Sequence, residues 1–128
     1  MPKFRVSLML LGLFTQVSFA ATCPTVDALK NNLARGWLAY DSDDGRLLAP
    51  KRDQQIRNTI NEFALAEWSQ KRQSIHCYYR DKNGSDLDAY FAKSHFTPAN
   101  ANHYWYSVSG YLQCAAGAQE CEFNSRHA

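Results

Sequence analysis

The alternation of apolar and polar residues along the chain is most regular between Ser74 and Lys93, where it predicts a β-hairpin. Two runs share this alternation, Ile75, Cys77 and Tyr79 in the first and Leu87, Ala89 and Phe91 in the second. Between them lies Asn83-Gly84, a pair that tolerates the positive φ angles of a tight hairpin turn. We therefore predict two antiparallel strands, each with one inward and one outward face.

Helical spacing is clearest near the N-terminus, from Thr25 to Arg35. Thr25 is a residue type that caps helices, and the apolar residues Val26, Leu29 and Leu33 mark one helical face. Gly36 follows at the position where a helix commonly ends. This pattern predicts an N-terminal amphipathic helix.

The next segment predicts a second hairpin. Its first strand runs from Trp37 to Tyr40, its turn from Asp41 to Gly45, and its return strand from Arg46 to Ala49. Pro50 cannot donate a ladder hydrogen bond, so the return strand should end before it.

The segment from Lys51 to Gln73 fits two structures. Apolar residues recur at helical spacing after a possible cap at Asp53, namely Ile56, Ile60, Phe63, Ala64 and Trp68. The shorter piece from Glu62 to Trp68 equally fits one strand of a β-meander. Period and length favour a helix over 53–69, with the strand as the alternative.

The C-terminal part predicts a linker, two strands and a closing tail. The linker is 97–103, the strands run from Tyr104 to Val108 and from Tyr111 to Cys114, and Cys121-Glu122-Phe123 closes the domain. Asn124 to Ala128 should be frayed. The predicted fold class is α+β: an N-terminal helix packed on a small antiparallel β-meander and stabilised by two disulfides.

The first twenty residues have the organisation of a cleavable export signal. Lys3 and Arg5 form a basic start, Val6 to Phe14 an apolar core, and Ser18-Phe19-Ala20 a cleavage site. The apolar run is shorter than the roughly 20 residues of a spanning helix, although an uncleaved tether remains the alternative. We predict cleavage after Ala20 and a periplasmic or secreted domain over 21–128.

Removal of this signal changes the charge of the protein. The full chain has 14 Lys+Arg and 12 Asp+Glu, and Lys3 and Arg5 leave with the signal, so the mature balance is 12 against 12. A neutral surface disfavours nucleic acid and anionic membranes, which attract clustered positive charge. We expect no nucleic-acid partner and no transmembrane span in the mature chain.

The four cysteines all lie beyond the signal, in a region destined for an oxidising compartment where they form two disulfides. Three pairings are possible. Cys114 and Cys121 enclose a short loop that suits a bridged turn, which leaves Cys23 with Cys77. We favour this pairing because it also joins the first helix to a central strand.

Motifs for catalysis or metal binding are missing from the sequence. The acidic run from Asp41 to Gly45 fails the register of a calcium loop, because Arg52 occupies the place of its last ligand. Four histidines show no ligand spacing, and His76 should face outward from its strand: His76, His95, His103 and His127. Asp86 and Asp88 fit solvated hairpin charges better than glycosidase carboxylates. We therefore expect no enzymatic activity, no catalytic residue, no metal and no cofactor.

Aromatic residues are the strongest candidates for function. In a strand, Tyr104 and Tyr106 share one face and Trp105 occupies the other, which should enter the core. An exposed face rich in tyrosine is typical of protein-binding or glycan-binding surfaces, although ordinary packing under loops is the alternative. The candidate binding surface comprises Tyr78, Tyr90, His103, Tyr104, Tyr106 and Tyr111.

The cysteine framework and its neighbours resemble a known group of exported bacterial proteins. The matching residues are Cys23-Pro24, Gly36-Trp37, Ala66-Glu67-Trp68, His76-Cys77-Tyr78-Tyr79, Trp105 and Cys114 with Cys121-Glu122-Phe123. This set resembles the EirA-like periplasmic accessory proteins that accompany type IVB (Dot/Icm-type) secretion systems. The resemblance implies a non-enzymatic periplasmic protein that supports effector export, and it assigns no site residues.

Three functional hypotheses follow from the sequence, and the least favoured is a small wall-active hydrolase that uses Asp86 or Asp88. The first is a non-catalytic accessory or adaptor protein that binds another envelope protein through an aromatic sheet surface. The alternative is a small exported inhibitor or glycan-binding module directed at a lysozyme-like hydrolase. The oligomeric state is left open by the sequence.

Overall fold

The computed structural model describes residues 20–99 and 103–125. Within them the chain forms nine strands: β1 (Ala20–Ala21), β2 (Leu38–Asp41), β3 (Ile60–Ser69), β4 (Ser74–Asp81), β5 (Asp86–Ser94), β6 (Phe96–Pro98), β7 (Tyr106–Val108), β8 (Tyr111–Cys114) and β9 (Phe123–Ser125). The helices are α1 (Val26–Lys30) and α2 (Pro50–Thr59).

The strands form two antiparallel sheets. The larger has six strands in the order β2-β5-β4-β3-β8-β7, and the smaller has three in the order β1-β9-β6. Consecutive strands β3, β4 and β5 are neighbours, as in a meander. The α+β class is therefore confirmed, with helices and a second small sheet added to one antiparallel sheet.

The core lies on one face of the large sheet. Every second residue of the central strands points into it, including Ala66, Ile75, Cys77 and Phe91. The helices contribute Leu29 and Ile56, and the small sheet contributes Phe96 and Phe123, whose rings lie 4.8 Å apart. The opposite face of the large sheet is therefore the one directed away from the core.

Both disulfides form in the favoured pairing. Cys23 bonds to Cys77 with a Cα–Cα distance of 5.9 Å, and Cys114 bonds to Cys121 at 5.6 Å. Next to the first bridge, the Tyr79 hydroxyl donates a hydrogen bond to the Pro24 carbonyl at 2.6 Å. The segment before α1 is thus fixed to the middle of the large sheet by one covalent bond and one hydrogen bond.

The predicted N-terminal amphipathic helix from Thr25 to Arg35 is not supported, since α1 covers only Val26–Lys30. Its start is correct, since the Thr25 hydroxyl accepts a hydrogen bond from the Ala28 amide. The helix ends at Lys30 because Asn32 adopts a left-handed conformation with φ 56°, and the Leu33 amide then bonds to the Ala28 carbonyl. Asparagine can terminate a helix in this way, as glycine does. Leu33, predicted on the apolar face, is consequently 70% exposed.

The prediction of one helix over 53–69 is wrong for its second half. Helix α2 covers Pro50–Thr59, but β3 begins at Ile60 and continues to Ser69, as the alternative proposed. The strand prevails because β3 pairs with β4 on one side and β8 on the other. Such two-sided pairing outweighs the local helical period.

The predicted hairpins fare differently. The hairpin of β4 and β5 is confirmed, and Gly84 in its turn has φ +79°. The turn over Asp41 to Gly45 also forms, but the predicted return strand is reduced to one bridge between Tyr40 and Leu47. Strand β2 pairs instead with β5, which places it at an edge of the large sheet.

The C-terminal predictions hold in outline, but the linker predicted over 97–103 is wrong for Thr97 and Pro98, which belong to β6 and pair with β9. Pro98 fits there because β6 is an edge strand of the small sheet. Strands β7 and β8 form a hairpin close to the predicted positions, and β9 joins the small sheet between β1 and β6. Asn124 and Ser125 belong to β9, so the predicted fraying is wrong for these two residues. His127 lies outside the described residues.

The export signal, up to residue 19, also lies outside the described residues. The predicted cleavage after Ala20 falls within β1, and Ala21, which pairs with Phe123, is on the side that the mature chain keeps. No helix within 20–99 and 103–125 is long and apolar enough to cross a bilayer. The two disulfides fit an extracellular or periplasmic protein.

Candidate binding surface

The face of the large sheet directed away from the core carries aromatic and hydrogen-bonding side chains from all six strands. The strand register places these residues on it: Leu38, Tyr40, Glu67, His76, Tyr78, Tyr90, Tyr106, Tyr111 and Gln113. We call this surface the open face. Its outer members at both sheet edges are exposed, namely Leu38, Tyr106 and Tyr111.

A row of aromatic rings crosses the open face near β2. The Tyr40 and Tyr90 rings stack with centroids 5.7 Å apart and an interplanar angle of 19°. Tyr90 also stacks on the His76 imidazole at 4.5 Å and contacts the Tyr78 ring at 5.4 Å. Four rings from three strands therefore form one continuous aromatic patch, in which Tyr90 is the central and most buried tyrosine.

Glu67 on β3 connects this patch to the far strands. Its carboxylate accepts hydrogen bonds from the Tyr78 hydroxyl at 3.3 Å and from the Gln113 amide nitrogen at 2.9 Å. The His76 Nδ1 atom lies 3.6 Å from the same carboxylate. Side chains from β4, β3 and β8 are thus held in one network across the middle of the open face, which fixes their positions.

The environment shifts the proton affinities of three groups in this network. The adjacent His76 imidazole lowers the pKa of Glu67 despite its partial burial, and the hydrogen bonds from Gln113 and Tyr78 act in the same direction. Burial raises the pKa of Tyr78 well above its ordinary range, and the adjacent Glu67 carboxylate adds to the effect. Burial likewise raises the pKa of Tyr90. The network consequently holds an ionised carboxylate and neutral, hydrogen-donating tyrosines at neutral pH.

One part of the network has the order of groups found in serine hydrolases. The Ser74 Oγ atom lies 3.2 Å from His76 Nε2, and His76 Nδ1 faces Glu67. A catalytic triad uses the same sequence of nucleophile, base and orienting acid. Here the 3.6 Å distance between the imidazole and the carboxylate is longer than a hydrogen bond, and the Ser74 side chain is buried, with only 6% exposure.

The structure brings together four of the six predicted surface residues. Tyr78, Tyr90, Tyr106 and Tyr111 lie on the open face. His103 and Tyr104 lie instead in the turn before β7, where their rings contact each other at 4.3 Å. The prediction for Trp105 is confirmed, since it packs against the core and its indole donates to the Glu122 carbonyl.

Sequence reasoning missed several members of the open face. His76 does point away from the core, as predicted, but the Tyr90 ring covers it and it is only 7% exposed. Tyr40, Glu67 and Gln113 were not singled out. The register of β3 against β4, which sets Glu67 opposite His76, is the signal that would have found the network.

Other charged groups singled out in the sequence form local contacts. Asp86 pairs with Arg80 at 3.0 Å and Asp88 with Arg52 at 2.8 Å, both on the surface. The Asp41 carboxylate accepts a hydrogen bond from the Asp43 amide and so stabilises its own turn. Among residues 20–99 and 103–125, no three His, Cys, Asp or Glu side chains form a group that could hold a metal ion.

We expect Glu67→Gln to remove a pH-dependent part of the stability. Because the folded carboxylate has a lowered pKa, its stabilisation is complete above the ordinary value of 4.5 and is lost as the pH falls through the folded value. The free energy of unfolding at pH 7 should drop by about 1–2 kcal/mol, as for hydrogen bonds to a charged group. Thermal unfolding of both proteins between pH 7 and pH 3 measures this difference.

The difference between wild type and Glu67→Gln should shrink below pH 4.5. Asp86→Asn is the matched control, because its side chain is 80% exposed and its pair with Arg80 contributes little. A Glu67→Gln deficit that stays constant down to pH 3 would show that packing, and not ionisation, carries the effect.

Comparison of the chain with known protein families, curated proteins and solved structures finds no match.

Proposed function

We propose that this is a non-catalytic exported accessory or adaptor protein that binds another envelope protein through the open face. The observation that carries the proposal is the grouping of tyrosines from five strands on one side of a disulfide-fixed sheet. Tyrosine presents a large, rigid contact area with a polar end, and it is enriched in protein interfaces. Fixed rings also lose little conformational entropy on binding.

The two edges of the open face supply the exposed part of the surface. Tyr106, Val108 and Tyr111 at the β7–β8 edge are all at least 36% exposed, and Leu38 at the β2 edge is 46% exposed. Between these edges, the hydrogen bonds of Glu67 hold the side chains of Tyr78 and Gln113 in the middle of the open face. A partner that covers this face would bury apolar area against groups that are already positioned.

The Ser74–His76–Glu67 arrangement supports the non-catalytic part of the proposal. The serine and histidine are adjacent members of one strand face and are both buried, so each satisfies the other's hydrogen-bonding capacity. Glu67 is also engaged by Tyr78 and Gln113, unlike a carboxylate reserved for one imidazole. These features fit a buried polar network that orients the Tyr90 ring.

The cellular setting we propose is the bacterial envelope, in support of a type IVB secretion system. The resemblance of the cysteine framework to EirA-like accessory proteins supports this setting. The inhibitor or glycan-binding alternative draws on the stacked Tyr40 and Tyr90 rings, because flat aromatic surfaces also bind sugar rings. Stoichiometric inhibition of a lysozyme by the purified protein would favour that alternative.

Site-specific photo-crosslinking in the native host tests the proposal. A photoreactive phenylalanine at Tyr106 or Tyr111 should yield one discrete protein adduct, because both side chains are exposed on the open face. The same group at Leu33, which is 70% exposed in the segment after α1, is the matched control. Alanine at both tyrosines should weaken binding of the captured protein by at least tenfold, as for interface hot spots.

Two outcomes would contradict the adaptor function. One is an adduct from the Leu33 position with none from Tyr106 or Tyr111, which would place the interface elsewhere. The other is an adduct that disappears on digestion of peptidoglycan, which would identify a glycan as the bound component. As a folding control, the melting temperature of the Tyr106→Ala/Tyr111→Ala protein should equal that of wild type, because both tyrosine side chains are exposed.

A further inference from the structure

A cavity of about 290 Å³ opens on the open face beside β2. The stacked Tyr40 and Tyr90 rings and Leu38 form its apolar wall, and Arg72 and Lys93 are its two basic lining residues. Tyr90 belongs both to this wall and to the aromatic patch of the open face. The cavity is therefore continuous with the proposed binding surface.

Within the described part of the chain, no carboxylate forms an ion pair with either cation of the cavity. No carboxylate is among the described lining residues of the cavity either. Four other arginines do form such pairs: Arg46, Arg52, Arg57 and Arg80. Uncompensated charge concentrated in a concave site attracts ligands of opposite sign.

Acidic side chains on neighbouring elements have contacts of their own. Glu67 interacts with His76, Tyr78 and Gln113 across the open face. In the turn next to the cavity, the Asp41 and Asp44 carboxylates accept hydrogen bonds from the amides of Asp43 and Arg46. None of these carboxylates lines the cavity.

Both cations are held in place by the fold. The Arg72 guanidinium is close enough to the Tyr90 hydroxyl to lower its pKa, against the larger effect of burial, and the Arg72 amide donates a hydrogen bond to Ser69 Oγ. The Lys93 stem passes over Gly36, where a Cβ atom would lie 3.0 Å from Lys93 Cε. The Lys93 ammonium lies over the Phe96 ring, 5.8 Å from the centroid.

We infer that this cavity receives the carboxylate of an acidic side chain presented by the protein partner. The inference rests on the proposed function, since the partner is the protein that covers the open face. The volume of 290 Å³ lies at the lower limit for small-molecule sites and suits one side chain better than an extended saccharide. A guanidinium fork matches a carboxylate in geometry, and the tyrosine rings cover the methylene groups behind it.

The test is an amide-resolved NMR titration of the mature, disulfide-bonded protein. The probe is the acetylated and amidated tripeptide Gly-Glu-Gly, and the same peptide with Gln in place of Glu is the neutral control. We expect the Glu peptide to shift the amides of 72–76 and 90–94, with a Kd in the millimolar range of a single charged contact. The Gln peptide should leave them unchanged.

Variants locate the effect. Arg72→Gln combined with Lys93→Gln should weaken binding of the Glu peptide at least tenfold. Arg46→Gln is the matched control, because Arg46 is exposed, lies near the same sheet edge and does not line the cavity. Equal binding by Arg72→Gln/Lys93→Gln and wild type would overturn the inference, as would equal shifts from the Glu and Gln peptides.

A second titration, with saccharides, distinguishes a carboxylate on a protein side chain from a carboxylate on a sugar. N-acetylmuramic acid carries a carboxylate on a sugar, and N-acetylglucosamine is its neutral counterpart. Shifts at 72–76 from N-acetylmuramic acid without shifts from the Glu peptide would overturn the protein source. A negative titration would overturn only the carboxylate site. The proposed adaptor function is tested separately, because crosslinks from Tyr106 and Tyr111 do not depend on the cavity.

Discussion

Replacing Cys23 and Cys77 together by alanine should lower the free energy of unfolding by about 4 kcal/mol. The bridge joins residues 54 positions apart, so its loss releases a long loop in the unfolded chain. Both sulfurs are also buried, which adds a packing loss. For a domain of this size the melting temperature should fall by roughly 15 °C. Thermal unfolding followed by circular dichroism measures the change.

The second bridge is the matched control. Cys114 and Cys121 are equally buried, but they are only 7 positions apart, so alanine at both should cost about 2.5 kcal/mol. The order of the two effects is the specific prediction. Equal losses, or a larger loss at Cys114 and Cys121, would show that loop closure does not determine the contribution. Four free thiols in the exported protein would contradict both disulfides.

Local signals predicted the parts of the fold that depend on neighbours in sequence. The Asn83-Gly84 turn, the Thr25 cap and the alternation within β4 and β5 all have local physical causes, and all are present. The pairing of cysteines followed from one short loop and elimination. Where two local choices competed, as between Gly36 and Asn32 as the end of α1, the sequence offered no criterion to decide.

Long-range pairing explains the main error and its consequence for the site. Strand β3 is stabilised by β8, whose Gln113 lies opposite Glu67 although they are 46 positions apart. If 53–69 is assigned to a helix, Glu67 is not placed opposite His76, and the network of the open face cannot be predicted. The aromatic composition pointed to a surface, but the register was needed to show which tyrosines share it.

The second large effect is expected at Arg57, which no sequence pattern singled out. Its guanidinium bonds to Asp53 within α2, to the Leu29 carbonyl of α1 and to the Trp37 carbonyl before β2. It also lies over the Phe91 ring of β5, 4.9 Å from the centroid. One buried side chain thus joins both helices and the entry to β2, none of which shares a strand ladder with the others.

We expect Arg57→Ala to lower the free energy of unfolding by about 3–5 kcal/mol, because it removes the guanidinium bonds to the Asp53 carboxylate and to the Leu29 and Trp37 carbonyl groups in a buried site. Arg52→Ala is the matched control in the same helix. Arg52 also pairs with an aspartate, Asp88, but the two side chains are 45% and 64% exposed, so its loss should cost less than about 1 kcal/mol. Urea unfolding of both variants measures the difference.

Arg57→Lys separates charge from geometry. Lysine keeps the positive charge but lacks the planar fork that reaches Leu29, Trp37 and Asp53 at once. We therefore expect a loss nearer to that of Arg57→Ala than to wild type. A lysine variant with wild-type stability would mean that charge near Asp53 suffices. That result would show that the guanidinium geometry is not what joins α1, α2 and the entry to β2.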